Sequence, residues 1–129
     1  MSKTEKITVN IDVVDLGKID LLVEQGFYSN RTDCIKTAIR NQLASHSTEV
    51  EKEITAKSYG IGIRIITKKE LVDAKQLGKM LSIYHIGMLK LEENIDSTLA
   101  TQTIQSIKVL GSFRATPILK EALKQMIEN

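Results

Sequence analysis

The sequence predicts an α+β protein in two parts: an N-terminal β-α-α unit that folds as a dimer, and a small C-terminal unit of mixed α/β structure. The first 46 residues contain one stretch with strand periodicity and then two with helical periodicity. Residues 47–58 are polar and charged, which indicates a helical linker. Residues 59–129 contain apolar stretches that each include a glycine. We therefore divide the chain into residues 1–46, 47–58 and 59–129.

The first element is a strand over residues 7–11. Apolar and polar side chains alternate there, and four of the five residues are β-branched. The apolar side chains share one face of the strand: Ile7, Val9 and Ile11. The opposite face carries the polar side chains: Lys6, Thr8 and Asn10.

Two helices follow the strand. Asp12 is placed to cap the first helix, which runs to about Gln25, and Gly26 suits the left-handed residue that ends it. Ser29 is placed to cap the second helix, which fades near His46. Apolar residues recur at helical spacing in both helices: Val13, Leu16, Ile19, Leu22, Val23, then Cys34, Ile35, Ala38, Ile39 and Leu43.

A dimer follows from the size of this unit. A lone strand leaves its backbone edges unpaired, and one strand face with two helix faces makes too small a core. Two copies of the strand, paired antiparallel and covered by four helices, remove both problems. We therefore expect an obligate homodimer.

The C-terminal part begins with a strand over residues 60–66. Thr67 to Glu70 forms a capping box that opens a helix to about Met80. Residues 83–91 and 107–114 predict strands, and residues 97–103 are ambiguous. Thr116 and Pro117 suit the N-cap and first position of a closing helix. Its apolar residues are Ile118, Leu119, Leu123, Met126 and Ile127.

Residues 83–91 and 107–115 form an internal repeat, in which one glycine occupies the same position of each copy. Residues 61–65 are a looser third copy. The repeat is compatible with a small sheet with bulges or with the rungs of a short β-solenoid.

The strand–helix–helix order and the turn from Gly26 to Arg31 (sequence GFYSNR) resemble the MetJ/Arc/CopG-type ribbon-helix-helix DNA-binding proteins over residues 6–45. Residues 111–117 are similar to the companion domain of some longer CopG-type regulators. The resemblance implies a dimer whose two-stranded ribbon enters the major groove of double-stranded DNA. It also implies that the outward strand residues contact base edges: Lys6, Thr8 and Asn10. Their side chains have the donors and acceptors for this role, although a merely solvated strand face would look the same.

Phosphate contacts are predicted at the start of the second helix. A helix N-terminus presents free N–H groups and a partial positive charge, and Ser29, Asn30 and Arg31 add donors there. Lys3 is a further expected phosphate contact. The alternative is that Ser29 only caps the helix.

Other functions lack support in the sequence. The net charge of +2 does not indicate a nucleic-acid partner by itself. The lone Cys34 fits a reducing, cytoplasmic environment, and no apolar run is long enough to span a membrane. His46 and His85 lie far apart, without other ligands at metal-binding spacing. We expect no enzymatic activity, no cofactor and no metal; a small-molecule effector stays an open alternative that the residues do not indicate.

The leading hypothesis is a transcriptional regulator, most simply a repressor, whose C-terminal unit pairs dimers into a tetramer or senses a signal. Pairing is favoured because a short ribbon reads few bases, and linked dimers gain discrimination. One alternative is an antitoxin whose C-terminal part wraps a toxin. Another is a self-assembling scaffold that the ribbon tethers to DNA.

Overall fold

The computed structural model describes residues 3–128 and consists of helices and strands in two units. One unit is Lys6–Glu53; the other combines residues 3–5 with the chain from Ile54 onward. The elements are α1 (Val13–Glu24), α2 (Arg31–Ser45), α3 (Ser47–Lys57), β1 (Gly60–Ile66), α4 (Lys68–Gln76), β2 (Leu81–Leu91), α5 (Ser97–Thr103), β3 (Ile104–Arg114) and α6 (Pro117–Ala122).

The limits of α1 follow from local hydrogen bonds, as the sequence predicts. The Asp12 carboxylate accepts from the backbone N–H of Val14 at 2.9 Å and of Asp15 at 3.4 Å. Gly26 has a φ of +85° just after the helix, a conformation that glycine adopts without steric cost. The predicted start and stop of α1 are therefore confirmed.

The predicted cap of α2 is wrong by one residue. Asn30, not Ser29, is the N-cap, because its side-chain oxygen accepts from the backbone N–H of Asp33 at 2.8 Å. Ser29 instead donates from its backbone N–H and its hydroxyl to the Asp33 carboxylate, at 3.0 and 3.1 Å. Both side chains can cap a helix, and the reciprocal pairing with Asp33 selects Asn30.

Residues 4–12 have no regular secondary structure in this single chain. The predicted strand over residues 7–11 is therefore not formed within one chain. The backbone reason is that a strand needs a neighbour to pair with, and the proposed neighbour is the same segment of a second chain. The ribbon stays a prediction.

The C-terminal unit is built on a parallel sheet in the order β1-β2-β3. The repeat glycines lie side by side across it, since Gly62 pairs with Gly87 and Gly87 with Gly111. The ambiguous residues 97–103 form helix α5, which connects β2 to β3. The repeat therefore forms a small sheet, as one interpretation has it. Its equivalent strands are parallel and stacked in register, as the rungs of a solenoid would be.

The core lies between one face of this sheet and helices α4, α5 and α6. Large side chains from both layers are fully buried: Ile66, Leu71, Leu89, Leu91, Ile104, Ile107, Leu119 and Leu123. The Thr103 hydroxyl is also buried and donates to the Leu99 carbonyl at 2.7 Å, so no donor is left unpaired there. The opposite face of the sheet is not covered by these helices.

Two helices end earlier than predicted. Helix α4 stops at Gln76, and Gly78, with a φ of +66°, turns the chain toward β2. Helix α6 stops at Ala122, and Ile118, which the sequence pattern places on its apolar face, is 74% exposed. The predicted helical residue Ile127 instead forms a parallel bridge with Ile107 of β3. Pairing with a free strand edge therefore replaces the last helical turn.

The predicted capping box at α4 is half correct. Thr67 is the N-cap, and its hydroxyl oxygen accepts from the backbone N–H of Glu70 at 3.2 Å. The Glu70 carboxylate binds Arg64 of β1 at 2.6 Å. In a complete capping box the Glu70 carboxylate would accept from the backbone N–H of Thr67. Here the ion pair with Arg64 holds that carboxylate instead.

Candidate nucleic-acid interface

The unit Lys6–Glu53 has almost no core of its own. Within it, Cys34 is the only described residue that is buried, at 8% exposure. Many of its large apolar side chains are exposed, and seven of them are exposed by more than half: Ile7, Val9, Val13, Val14, Leu21, Phe27 and Leu43. An apolar surface of this extent on so small a unit indicates that another surface covers it.

The predicted base-contacting residues lie on the unpaired segment before α1. Lys6, Thr8 and Asn10 are exposed, as expected for residues that reach a groove. Ile7, on the predicted apolar face, is also exposed, at 76%. In a single chain the predicted apolar and polar faces of the strand are therefore both exposed to solvent. The two faces differ only when a second strand pairs with this one and the apolar side packs on helices.

The turn before α2 leaves two backbone donors available. The N–H of Asp33 is bonded to the Asn30 side chain, and the N–H of Cys34 to the Asn30 carbonyl at 3.2 Å. The N–H groups of Arg31 and Thr32 donate to no acceptor within the part of the chain that the structure describes. Free N–H groups at a helix N-terminus are a general phosphate-binding arrangement. The Ser29 donors, by contrast, are held by Asp33.

The Arg31 side chain forms a two-point ion pair with Asp20 of α1. Nε donates to Oδ1 at 2.7 Å and Nη2 donates to Oδ2 at 2.8 Å. This hydrogen bonding lowers the pKa of Asp20 and raises the pKa of Arg31. Nη1 has no acceptor among the described residues, so it remains available to a phosphate. Sequence reasoning missed Asp20, because the pair depends on how α1 packs on α2.

Lys3 belongs to the unit that combines residues 3–5 with the chain from Ile54 onward. The other predicted contacts lie in the unit Lys6–Glu53. Two residues after Lys3, the Glu5 carboxylate accepts from the Ser112 hydroxyl at 2.6 Å and from Nη2 of Arg114 at 2.8 Å. The Ser112 hydrogen bond, and then that of Arg114, lower the pKa of Glu5. The sequence carries no signal for this contact between residues more than 100 positions apart.

The arrangement of α1, its turn and α2 agrees with a comparison against known families. The model of the ribbon-helix-helix transcriptional regulator family matches residues 2–120. The chain belongs to this family. The match confirms the resemblance seen at residues 6–45 and extends it through most of the C-terminal unit, so this ribbon-helix-helix protein is a DNA-binding transcriptional regulator. Neither the curated proteins nor the solved structures contain a significant match.

Within residues 3–128, no group of three or more His, Cys, Asp or Glu side chains is placed to hold a metal ion. His85 is 3% exposed, and its Nε2–H donates to the Gly62 carbonyl at 2.8 Å. The side chain thus links strand β2 to strand β1. Over that same range, every helix is too short or too polar to cross a membrane.

Proposed function

We propose that this regulator is a repressor that binds a specific double-stranded DNA sequence as a dimer, with a two-stranded antiparallel ribbon in the major groove. The observation that supports the dimer most is the exposed apolar surface of Lys6–Glu53, where only Cys34 is buried. A second copy of the unit would pair the strands and cover the apolar side chains. Membership of a family of ribbon-helix-helix regulators supports the same assembly.

In the proposed complex, Lys6, Thr8 and Asn10 point into the groove. Asn10 can pair bidentately with adenine, and Lys6 can donate to guanine. The N–H groups of Arg31 and Thr32, with the free edge of the Arg31 guanidinium, bind a phosphate on each side of the ribbon. Ser29 and Asn30 shape this turn through Asp33.

The test begins with selection of bound DNA from a random pool by the full chain, which gives the operator and its half-site spacing. Binding of Asn10→Ala to the operator and to a scrambled sequence is then measured by fluorescence anisotropy. We expect a loss of specificity of about 1–3 kcal/mol per altered contact, with little change in binding to scrambled DNA.

The matched control is Asn94→Ala, since Asn94 is an exposed asparagine in the turn after β2. It should bind as the wild type does. An unchanged ratio of specific to nonspecific affinity in Asn10→Ala would show that the strand faces are wrongly assigned. Selection without any enriched sequence would oppose specific DNA binding altogether.

We propose in addition that the C-terminal unit pairs dimers. The alternative antitoxin role requires a tail that orders only on its toxin, and such tails lack an apolar core. Residues from Tyr59 onward instead have a buried core with large side chains from β1, β2, β3 and three helices. A folded unit of this kind is suited to assembly.

A further inference from the structure

The two edges of the C-terminal sheet differ. On the outer edge of β3, the backbone N–H of Ile107 donates to the Met126 carbonyl at 2.8 Å, and the N–H of Glu128 donates to the Ile107 carbonyl at 2.7 Å. On the outer edge of β1, no described residue pairs with the strand, which contacts β2 on its other side only. An unpaired edge presents a row of N–H and C=O groups to another strand.

Strand β1 also lacks the features that commonly protect an edge. It contains no proline, and its only charged residue, Arg64, is held by Glu70 at 2.6 Å. Ile61, Ile63 and Ile65 are 66%, 46% and 46% exposed. They alternate along the strand, so they share one face, the one that the helices leave uncovered.

The glycine in β1 does not prevent pairing. Gly62 has a φ of +112°, close to the +122° of Gly87 and the +125° of Gly111. Gly87 and Gly111 both lie in strands that pair through this position. On the open side of Gly62, a Cβ would meet nothing within 4 Å, so space for a neighbouring strand is present.

The occupant that fits this edge is a second copy of the chain. Ribbon dimers bring C-terminal units together in pairs, and dimers on adjacent sites raise their effective concentration further. Because residues 126–128 already occupy part of the β3 edge, that edge is not free to continue the sheet. The remaining complement of β1 is another β1, and two identical strands related by a two-fold axis run antiparallel.

We propose that β1 joins edge to edge, antiparallel, with β1 of a chain from another dimer, and that this contact makes a tetramer. The proposal rests on the proposed function, since it names the surface that pairs dimers. The register that best fits the side chains places Ile63 opposite the partner's Ile63, and Ile61 opposite the partner's Ile65. Arg64 then faces the partner's Gly62, which avoids two arginines directly opposite each other.

Disulfide cross-linking tests the contact directly. In a Cys34→Ala background, Ile63→Cys places two thiols across the axis, where Cα atoms of opposed residues lie about 4.5–5.5 Å apart, within disulfide range. The matched control is Leu110→Cys, which is 47% exposed on the same sheet face but lies on β3. We expect mild oxidation of the full-length variants to link most Ile63→Cys chains in pairs and to leave Leu110→Cys unlinked. Equal linking of the two variants would overturn the proposal.

A charge at the same position gives an independent measurement. Light scattering should show four chains per particle for the wild type and for Leu110→Lys, and two for Ile63→Lys. On DNA with two adjacent sites, Ile63→Lys should lose on the order of 10²-fold in apparent affinity and keep its affinity for a single site. A two-chain wild-type particle, or a four-chain Ile63→Lys particle, would contradict the proposal. Cross-linking of Ile63→Cys together with a wild type that binds no specific DNA would instead sink the proposed function and leave this interface standing.

Discussion

Alanine substitutions at Gly87 and Gly62 together distinguish two costs in the sheet: the positive φ and the steric overlap with the neighbouring strand. A Cβ at Gly87 would lie 2.2 Å from the carbonyl oxygen of Gly62 in the neighbouring strand. A Cβ at Gly62 would have the same backbone conformation, with a φ of +112°, but no atom within 4 Å. The pair Gly87→Ala and Gly62→Ala therefore differs in steric overlap and shares the cost of the positive φ.

The size of each effect can be worked out from these contacts. A non-glycine residue in a sparsely populated region of positive φ costs about 1–3 kcal/mol. At Gly87 the carbonyl of Gly62 must also retreat by about 1 Å to reach ordinary van der Waals distance. Overpacking of this kind costs about 1–3 kcal/mol more. We expect Gly62→Ala to lose about 1–3 kcal/mol and Gly87→Ala about 2–6 kcal/mol.

Urea denaturation followed by far-ultraviolet circular dichroism measures the difference. All variants are made in the Ile63→Lys background, so that no partner strand fills the space beside Gly62, and are compared at one protein concentration because association shifts apparent stability. Gly111→Ala serves as a replicate, since its Cβ would lie 2.2 Å from the Gly87 carbonyl oxygen. It should resemble Gly87→Ala. Equal loss of stability in Gly62→Ala and Gly87→Ala would refute the role of the close carbonyl contact.

Two further predictions concern the ionic contacts. Arg31→Ala, which removes one proposed phosphate contact per chain, should reduce the salt slope of a DNA-bound dimer by about 1.8, equivalent to about 12-fold in affinity between roughly 50 and 200 mM salt. Asp20→Asn keeps the arginine and should not reduce the slope; an unchanged slope in Arg31→Ala would exclude it from phosphate binding. The pKa of Glu5 is lowered in the folded chain, so its carboxylate keeps its contacts when the pH falls below the ordinary glutamate pKa. The contacts are lost only as the pH falls further, through the lowered pKa. A carboxyl NMR titration should show this, and Ser112→Ala should move the pKa back up; titration of Glu5 at its ordinary pKa would contradict the contact.

Local features could be predicted from the sequence because their partners are near in the chain. Asp12, Thr67 and Thr116 cap helices through N–H groups two or three residues ahead, and Gly26 ends α1 in a conformation that glycine favours. The cap of α2 shows the limit of this reasoning. Adjacent Ser29 and Asn30 are both suitable, and the carboxylate of Asp33 decides between them.

The candidate interface was predicted only in part. Its residue types and their order are sufficient to indicate the family, and the family match confirms that indication. The roles of Lys6, Thr8 and Asn10 remain predictions, because the strand that would orient them needs a second chain. Asp20 could not be foreseen as the partner of Arg31, since the pair forms across two packed helices.

The sequence by itself determined the starts of α1, α4 and α6, most of each strand of the C-terminal sheet and the spacing of the repeat glycines. Only the tertiary structure decided that the three strands lie parallel and in register, that the Gly62 carbonyl lies against Gly87, and that Ile127 leaves the closing helix for the edge of β3. The physical reason is the range of the interactions. Caps and turns depend on neighbours within a few residues, whereas strand pairing depends on which distant segments the packing of the core brings together.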